Sequence, residues 1–367
     1  MNKDSTAPPD SGELEAYLAW QSLPGIGRTL LLKIRDHFGS FLFAWNAVKD
    51  SDETWQQLLT KTQAQRQAIR PRQIRDELLF DNPDIITLLD SDYPTTLRSG
   101  NPEPLLFYRG NRQLLQAPIM LGIVGSRRFD RYNAEALKSI FTGLTDAPIV
   151  IVSGLALGID GLAHQLALDY QLPTIAIPGS SILDEEIYPR SHVKLSRQII
   201  AADGLLLSPF AKGTPMANHL FPYRNAVIAG LCHSLLVVSA ASKSGALITA
   251  QQAMDFGRDV LAVPGNIDQE LSRGTNQLIR QGAVPITSGE DIMRHFNFEP
   301  RSPDSHSHYP SANELENAII RSLTLRPATI EDLLQQLPSY PTNQILICLA
   351  SMELKRWIER GNKIRLL

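Results

Sequence analysis

From residue 117 to about residue 290, apolar runs alternate with amphipathic stretches. The runs occupy 119–124, 148–152, 173–177, 204–207, 234–239 and 259–263. Each gives way to a loop carrying glycine or serine and then to helical spacing, as at 132–144 after the first run. A strand apolar at every position has both faces covered, and strands alternating with helices pair in parallel. The pattern predicts an α/β fold: a doubly wound, mainly parallel sheet under helices. A last short strand at 284–286 and a helix at 289–296 close it. Two short strands, within 85–89 and 104–110, lead in through Pro-rich loops.

The flanks read differently. Residues 1–12 are rich in Ser, Pro and Asp and are expected to be disordered. Over 14–35 two helical patterns flank Leu23-Pro24-Gly25-Ile26-Gly27. That turn resembles the helix-hairpin-helix, or SAM-like, turn that grips DNA phosphates through backbone N–H groups; a plain helical hairpin fits it equally. Helical patterns follow at 55–59 and 63–79. After residue 297 a tract rich in Pro and Ser reads as a linker, and 312–367 as a compact unit. In that unit, helices are predicted at 314–323, 329–336 (capped by Thr329) and 342–356, with a hairpin around Gly361-Asn362. Three helices and a hairpin outline a winged helix. The predicted boundaries are 1–12, 13–82 (helical), 83–297 (sheet domain), 298–311 (linker) and 312–367. The terminal excess of Lys355, Arg356, Arg360, Lys363 and Arg365 over Glu359 suits a DNA-facing wing or, slightly better, a partner surface.

Composition narrows the class. Of 367 residues, 43% are hydrophobic and 20% charged, the balance of a soluble globular protein of two or three domains. A net charge of -3 argues against wholesale attraction to DNA but leaves room for a local basic cleft. Cys232 and Cys348 are too few and too far apart for a disulfide framework or a zinc site, which fits a reducing cytoplasm. The first 15 residues carry no apolar signal core. The apolar region 147–168 is interrupted by glycines, Asp160 and His164, so no membrane span is expected.

In an open parallel sheet, the loops after the strands share one edge, and ligands bind where the strand order reverses. The first such loop is Gly125-Ser126-Arg127-Arg128, at the mouth of a helix whose free N–H groups favour an anion. The second opens with Ser153-Gly154 and runs through Gly158 and Asp160 to His164. The third is Pro178-Gly179-Ser180-Ser181, and the fourth ends near Phe221, Arg224 and Asn225. The fifth is Ser242-Lys243-Ser244-Gly245, and the sixth Pro264-Gly265-Asn266. The edge thus gathers small residues, hydroxyls and the cations Arg127, Arg224 and Lys243. Phe221 and Tyr223 offer stacking faces beside a cation, as single strands require; a core position for Phe221 fits as well.

Several chemistries are poorly served. Arg127 stands where a dinucleotide pyrophosphate needs glycine, and Lys243-Ser244 lacks the glycines of a P-loop. Ser153-Gly154 is not a nucleophile elbow, no carboxylate pair has acid–base spacing, and His164 pairs more naturally with Asp160. His306 and His308 have no acidic or cysteine partners nearby. No catalytic residue, cofactor or metal is therefore expected.

Taken together and in order, these loops resemble the DNA-processing protein A (DprA/Smf) family. The resemblance rests on Ile123-Val-Gly-Ser-Arg127, Ser153-Gly-Leu-Ala-Leu-Gly-Ile-Asp-Gly-Leu-Ala-His164, Phe221-Pro-Tyr-Arg-Asn225, Lys243-Ser-Gly-Ala-Leu-Ile-Thr249 and Gly257-Arg-Asp-Val-Leu-Ala-Val-Pro-Gly265. Asp92-Tyr-Pro94 and Tyr108-Arg-Gly110 match its lead-in. It covers residues 85–290 strongly and both ends loosely. It implies an extended Rossmann-like domain between a SAM-like helical domain and a winged-helix-like domain. It implies a cytoplasmic, non-enzymatic homodimer that binds and protects single-stranded DNA and loads RecA recombinase in natural transformation, with a single-stranded-DNA-binding protein as a further partner. The implied DNA-binding residues are Gly125, Ser126, Arg127, Arg128, Ser153, Gly154, Phe221, Arg224, Asn225, Lys243, Ser244 and Gly245. Tyr223 and Ala226 stand where the family often has arginine, which makes the groove less basic. Two rival expectations share the fold: a nucleoside-monophosphate phosphoribohydrolase-like enzyme, whose Pro-Gly-Gly-x-Gly-Thr motif neither Pro178-Gly179-Ser180 nor Pro264-Gly265-Asn266 completes, and a nucleotide-sensing regulator.

Overall fold

The computed structural model describes residues 11–80, 84–298, 313–325, 328–355, 357–360 and 363–366. Residues 1–10 of the expected disordered start and 299–311 of the expected linker lie outside them, while Ser11 and Gly12 open a helix. The chain divides into two compact units, Met1–Asn297 and Phe298–Leu367.

The first unit opens with helices α1 (Ser11–Ser22), α2 (Arg28–Phe38), α3 (Phe41–Asn46), α4 (Glu53–Ala68) and α5 (Pro71–Phe80). The patterns at 55–59 and 63–79 are not two helices broken near residue 61. One helix runs to Ala68, and Pro71 starts the next, where its fixed φ suits the first helical position. Glu13 of α1 accepts hydrogen bonds from the backbone N–H groups of Phe41 (2.7 Å) and Leu42 (3.0 Å), capping α3.

One sheet follows, formed among the described residues by nine strands. These are β1 (Ile85–Thr87), β2 (Leu105–Gly110), β3 (Met120–Val124), β4 (Val150–Ser153), β5 (Thr174–Ala176), β6 (Leu205–Ser208), β7 (Ser234–Val237), β8 (Asp259–Ala262) and β9 (Val284–Pro285). Their order is β1-β2-β6-β5-β4-β3-β7-β8-β9. From β6 to β9 every pairing is parallel, while β1–β2 and β2–β6 are antiparallel. This is the doubly wound, mainly parallel α/β sheet the pattern predicts. β3, β4, β5, β6 and β7 are buried at every residue, which is why they read as unbroken apolar runs. The lead-in holds a short helix, α6 (Thr95–Gly100), between β1 and β2, where the sequence suggested only loops.

Helices α7 (Arg131–Thr142), α8 (Ile159–Asp169), α9 (Val193–Ala201), α10 (Leu220–Leu231), α11 (Gly245–Asp255), α12 (Glu270–Arg280) and α13 (Gly289–His295) follow β3 to β9 in turn. Val124, Val152, Ile177 and Val237 pack in one cluster with Val227, Ile228 and Leu231 of α10 and with Ala250 and Ala253 of α11. A second cluster joins Tyr17, Trp20, Leu31, Ile34 and Phe41 to Phe107, Ala176, Ile199 and Leu206, so the N-terminal helices share a core with the sheet. The strand order reverses at β3, with β4 on one side and β7 on the other. The crevice for a ligand therefore opens outside the carboxyl ends of β3 and β7.

The second unit contains α14 (Glu314–Leu325), α15 (Ile330–Gln336), α16 (Thr342–Leu354) and an antiparallel pair, β10 (Ile358–Arg360) and β11 (Ile364–Leu366). Ile319, Leu333, Ile345, Leu349, Met352 and Ile358 form its core. Thr329 caps α15 in a reciprocal box with Asp332. Lys355, one of the terminal cations, pairs with the buried carboxylate of Glu316 at 2.7 Å and lies over the Trp357 ring at 4.4 Å. Arg356 lies outside the described residues.

Candidate nucleic-acid interface

The loop after β3 is built by close backbone contacts. A Cβ on Gly125 would stand 2.6 Å from Cγ1 of Ile159, so a side chain there would drive α8 away. The Ser126 N–H donates to Ser239 Oγ (3.2 Å) beyond β7, and the Ser126 carbonyl accepts from the Ile159 N–H (3.2 Å) at the start of α8. Gly158 has φ +87°, and a Cβ there would lie 2.2 Å from the Ser126 carbonyl oxygen. The loops of β3, β4 and β7 are thereby locked together, and the chain leaves them with Arg127 and Arg128 exposed.

The mouth of α7 is not the free anion site that the sequence suggested. Asp130 caps it, accepting from the Asn133 N–H at 2.9 Å in a reciprocal box. A carboxylate at this position answers the helix dipole and takes up one of its free N–H groups. The anion-attracting groups of this loop are its arginines.

Arg127 is held in place. Its guanidinium carbon lies 4.9 Å from the centroid of the Phe221 ring. Phe221 is half-buried and packs on Gly179, where a Cβ would meet the ring at 2.8 Å. The Tyr188 ring lies 5.9 Å from that of Phe221, tilted by 58°. Three strand-end segments, after β3, β5 and β6, therefore meet at one aromatic ring. Phe221, Arg224 and Asn225 do not lie in a loop: they occupy the first turns of α10.

Arg224 departs from the sequence reading. It is 3% exposed, and its guanidinium donates to the carbonyls of Gly154 and Ile177, the residues just past β4 and β5. Its Nε donates to Asn225 Oδ1 at 3.0 Å. Burial pulls its pKa down to about 10, against the nearby Asp160 carboxylate that favours the charge. Burial likewise raises the Asp160 carboxyl, with Arg224 opposing. Ser153 is also internal, its hydroxyl donating to the Ile123 carbonyl at 2.6 Å. Gly154 leaves room beside Asp160 and Arg224, where a Cβ would come within 2.4 Å and 2.7 Å of them. Ser153, Gly154, Arg224 and Asn225 thus form a scaffold behind the surface cations. His164 belongs to the same interior. It is fully buried, with Nδ1 2.8 Å from Thr174 Oγ1, and burial lowers its pKa to about 3.

Across the switch point, Lys243 and Gly245 are exposed on the loop after β7. Ser244 caps α11, accepting from the Ala246 N–H at 3.3 Å, and no acidic residue lies in that first turn. This helix mouth, unlike that of α7, keeps its positive end without a carboxylate. An open depression of about 500 Å³ beside it is lined by Lys243, Ser244, Gly245, Ile248 and Gln251 among others. Tyr223, two residues on from Phe221 along α10, is committed elsewhere: its hydroxyl donates to both carboxylate oxygens of Glu103, at 2.8 and 3.0 Å.

Of the twelve predicted residues, the structure leaves Arg127, Arg128, Lys243 and Gly245 exposed at the switch edge. Two residues that shape this edge are not among the twelve. Tyr188 could have been found as an aromatic in the β5 loop, once that loop was assigned to the shared edge. Asp130 could have been found from the Asp-x-x-Asn capping pattern.

The fold defines a Rossmann-like α/β protein with exposed cations at the edge where its strand order reverses. Residues 84–297 match the family model described as DNA recombination-mediator protein A. DNA processing protein DprA of Streptococcus pneumoniae is 41% identical over 58% of this chain and 74% of its own length. Protein Smf of Escherichia coli is 32% identical over 84% of this chain and 85% of its own. The chain belongs to the DNA recombination-mediator protein A (DprA/Smf) family. The X-ray structure of the S. pneumoniae DprA superposes with a TM-score of 0.66 at 31% identity, covering 80% of this chain and all of the other. A structure of DNA processing protein A from Helicobacter pylori, described for its single-stranded DNA binding mode, gives 0.50 at 28% identity, covering 58% of this chain and 96% of that one. No helix among the described residues is long and apolar enough to cross a membrane, and no group of three or more His, Cys, Asp or Glu among them could hold a metal ion.

Proposed function

We propose that this chain binds single-stranded DNA along the carboxyl edge of its parallel strands. Arg127 meets a phosphate on the β3 side of the switch point, and Lys243 with the α11 mouth meets another on the β7 side. The observation that carries the reading is Arg127 itself, an exposed guanidinium fixed over Phe221 where the strand order reverses. A pre-positioned cation loses little freedom when a phosphate arrives. The H. pylori relative described for single-stranded DNA binding supports the same reading. The chain then acts in the cytoplasm as a recombination mediator in DNA uptake, a homodimer that shelters the strand and loads RecA recombinase onto it.

Fluorescence anisotropy with oligothymidylate over a salt series tests the proposal. Affinity should fall steeply with salt, and Arg127→Ala or Lys243→Ala should each reduce the salt slope by about 1. Salt-independent binding, or slopes unchanged in both variants, would remove these residues from the interface.

A further inference from the structure

We infer that Tyr188 is a stacking platform for a base of the bound single strand, beside the phosphate contact of Arg127. The inference rests on the DNA-binding reading above and adds to it a site for the bases.

Tyr188 ends the loop that follows β5, on the same sheet edge as Arg127. It is 44% exposed. Phe221 is backed by Gly179 and overlain by Arg127, so the accessible aromatic face of this cluster belongs to Tyr188. The two ring contacts that link them place Arg127 and Tyr188 within the span of one or two nucleotides. Every base has a π-face, so one such platform holds a strand without choosing its sequence.

The platform is fixed before any ligand arrives. The Tyr188 N–H donates to Ser180 Oγ at 3.1 Å, and Ser180 is itself buried. Ile187, the preceding residue, is fully buried in the second core cluster. Downstream, Arg190 Nη1 donates to the Asp184 carbonyl at 2.7 Å, closing the loop on itself. Among the described residues, the Tyr188 hydroxyl has no hydrogen-bond partner. The side chain is thus anchored by its backbone and presents its ring outward. A rigid aromatic of this kind offers large contact area at low entropic cost.

The test compares the full chain with Tyr188→Ala and Tyr188→Phe on two probes, a labelled oligothymidylate and an abasic oligomer of equal length, over one salt series. Tyr188→Ala should weaken oligothymidylate binding by roughly ten- to a hundredfold at every salt concentration, leaving the salt slope unchanged. Tyr188→Phe should bind like the parent, and on the abasic oligomer all three proteins should bind alike. If thermal melting shows that Tyr188→Ala is misfolded, Tyr188→Leu replaces it, with the same loss expected because leucine has no π-face. Parental affinity for oligothymidylate in the variant lacking the ring, or an equal loss on the abasic oligomer, would overturn the stacking role. A parent that itself shows no salt-sensitive binding would instead bring down the DNA-binding reading.

Discussion

The buried guanidinium of Arg224 donates a hydrogen bond to the carbonyl of Gly154, the first residue after β4. A second bond to the Ile177 carbonyl ties the end of β5 to the same group. Arg224 is therefore a clasp between two strand ends, and Arg127 is the cation that faces outward.

The two arginines should behave oppositely on substitution. Arg224→Ala leaves two carbonyls without their donor and the buried Asp160 without its neighbouring charge. Losses of this kind cost about 3–5 kcal/mol. Arg224→Lys should recover only part of this, because an ammonium has no second nitrogen to hold Asn225 Oδ1 while it serves the two carbonyls. Arg127→Ala should leave the urea midpoint where it is while weakening DNA binding. A parental midpoint in Arg224→Ala would refute the clasp.

Gly158→Ala should destabilise by more than about 1 kcal/mol. The cause is double: φ is +87°, and the new methyl would fall 2.2 Å from the Ser126 carbonyl oxygen. Relief of that clash would move Ser126 and Arg127 together, so affinity for oligothymidylate should drop along with stability. Chemical denaturation and anisotropy on one preparation check both. A variant as stable as the parent would show that the two loops are less tightly fitted than described.

Stability should respond to pH through two buried groups of opposite sign. Burial pushes the Glu103 carboxyl up to about 7, although the Tyr223 hydrogen bond and the charge of Arg28 pull it back. The unfolded value is about 4.3, so between these values the folded chain holds the proton more tightly. The contribution of Glu103 is full below the unfolded pKa and is lost as pH rises towards 7. His164, held at about 3 by burial, works the other way: its contribution is full above its unfolded value of about 6.5 and is lost as pH falls. Glu103→Gln removes only the first effect. From about pH 5 to about pH 7, the stability of this variant relative to the parent should rise by about 2 kcal/mol. Parallel stability–pH curves for the two proteins would contradict the assignment.

The sheet was legible because its central strands are covered on both faces, which leaves unbroken apolar runs such as 119–124 and 234–239. The edge on which the loops gather followed from the parallel pairing. What stayed hidden was the direction each side chain takes. Arg224 and Arg127 look alike in sequence, but one lies in the second turn of a helix facing converging carbonyls and the other in an exposed turn. The start of α10 was obscured because its N-cap, His219, makes no side-chain cap. Phe221 admitted two readings, and the structure places it half-buried beneath Arg127. Asp130 stands ahead of the helical spacing that begins at 132, so the pattern leaves outside the helix the carboxylate that caps it.

The core shared by Trp20, Phe41, Phe107 and Leu206 limits how this gene can be rearranged. A break near residue 83 would strip the apolar cover from β2 and β6, so the helical segment must be inherited with the sheet it covers. Residues 314–366 enclose an apolar centre of their own around Leu349. That segment therefore carries, within its own sequence, the apolar residues its fold requires.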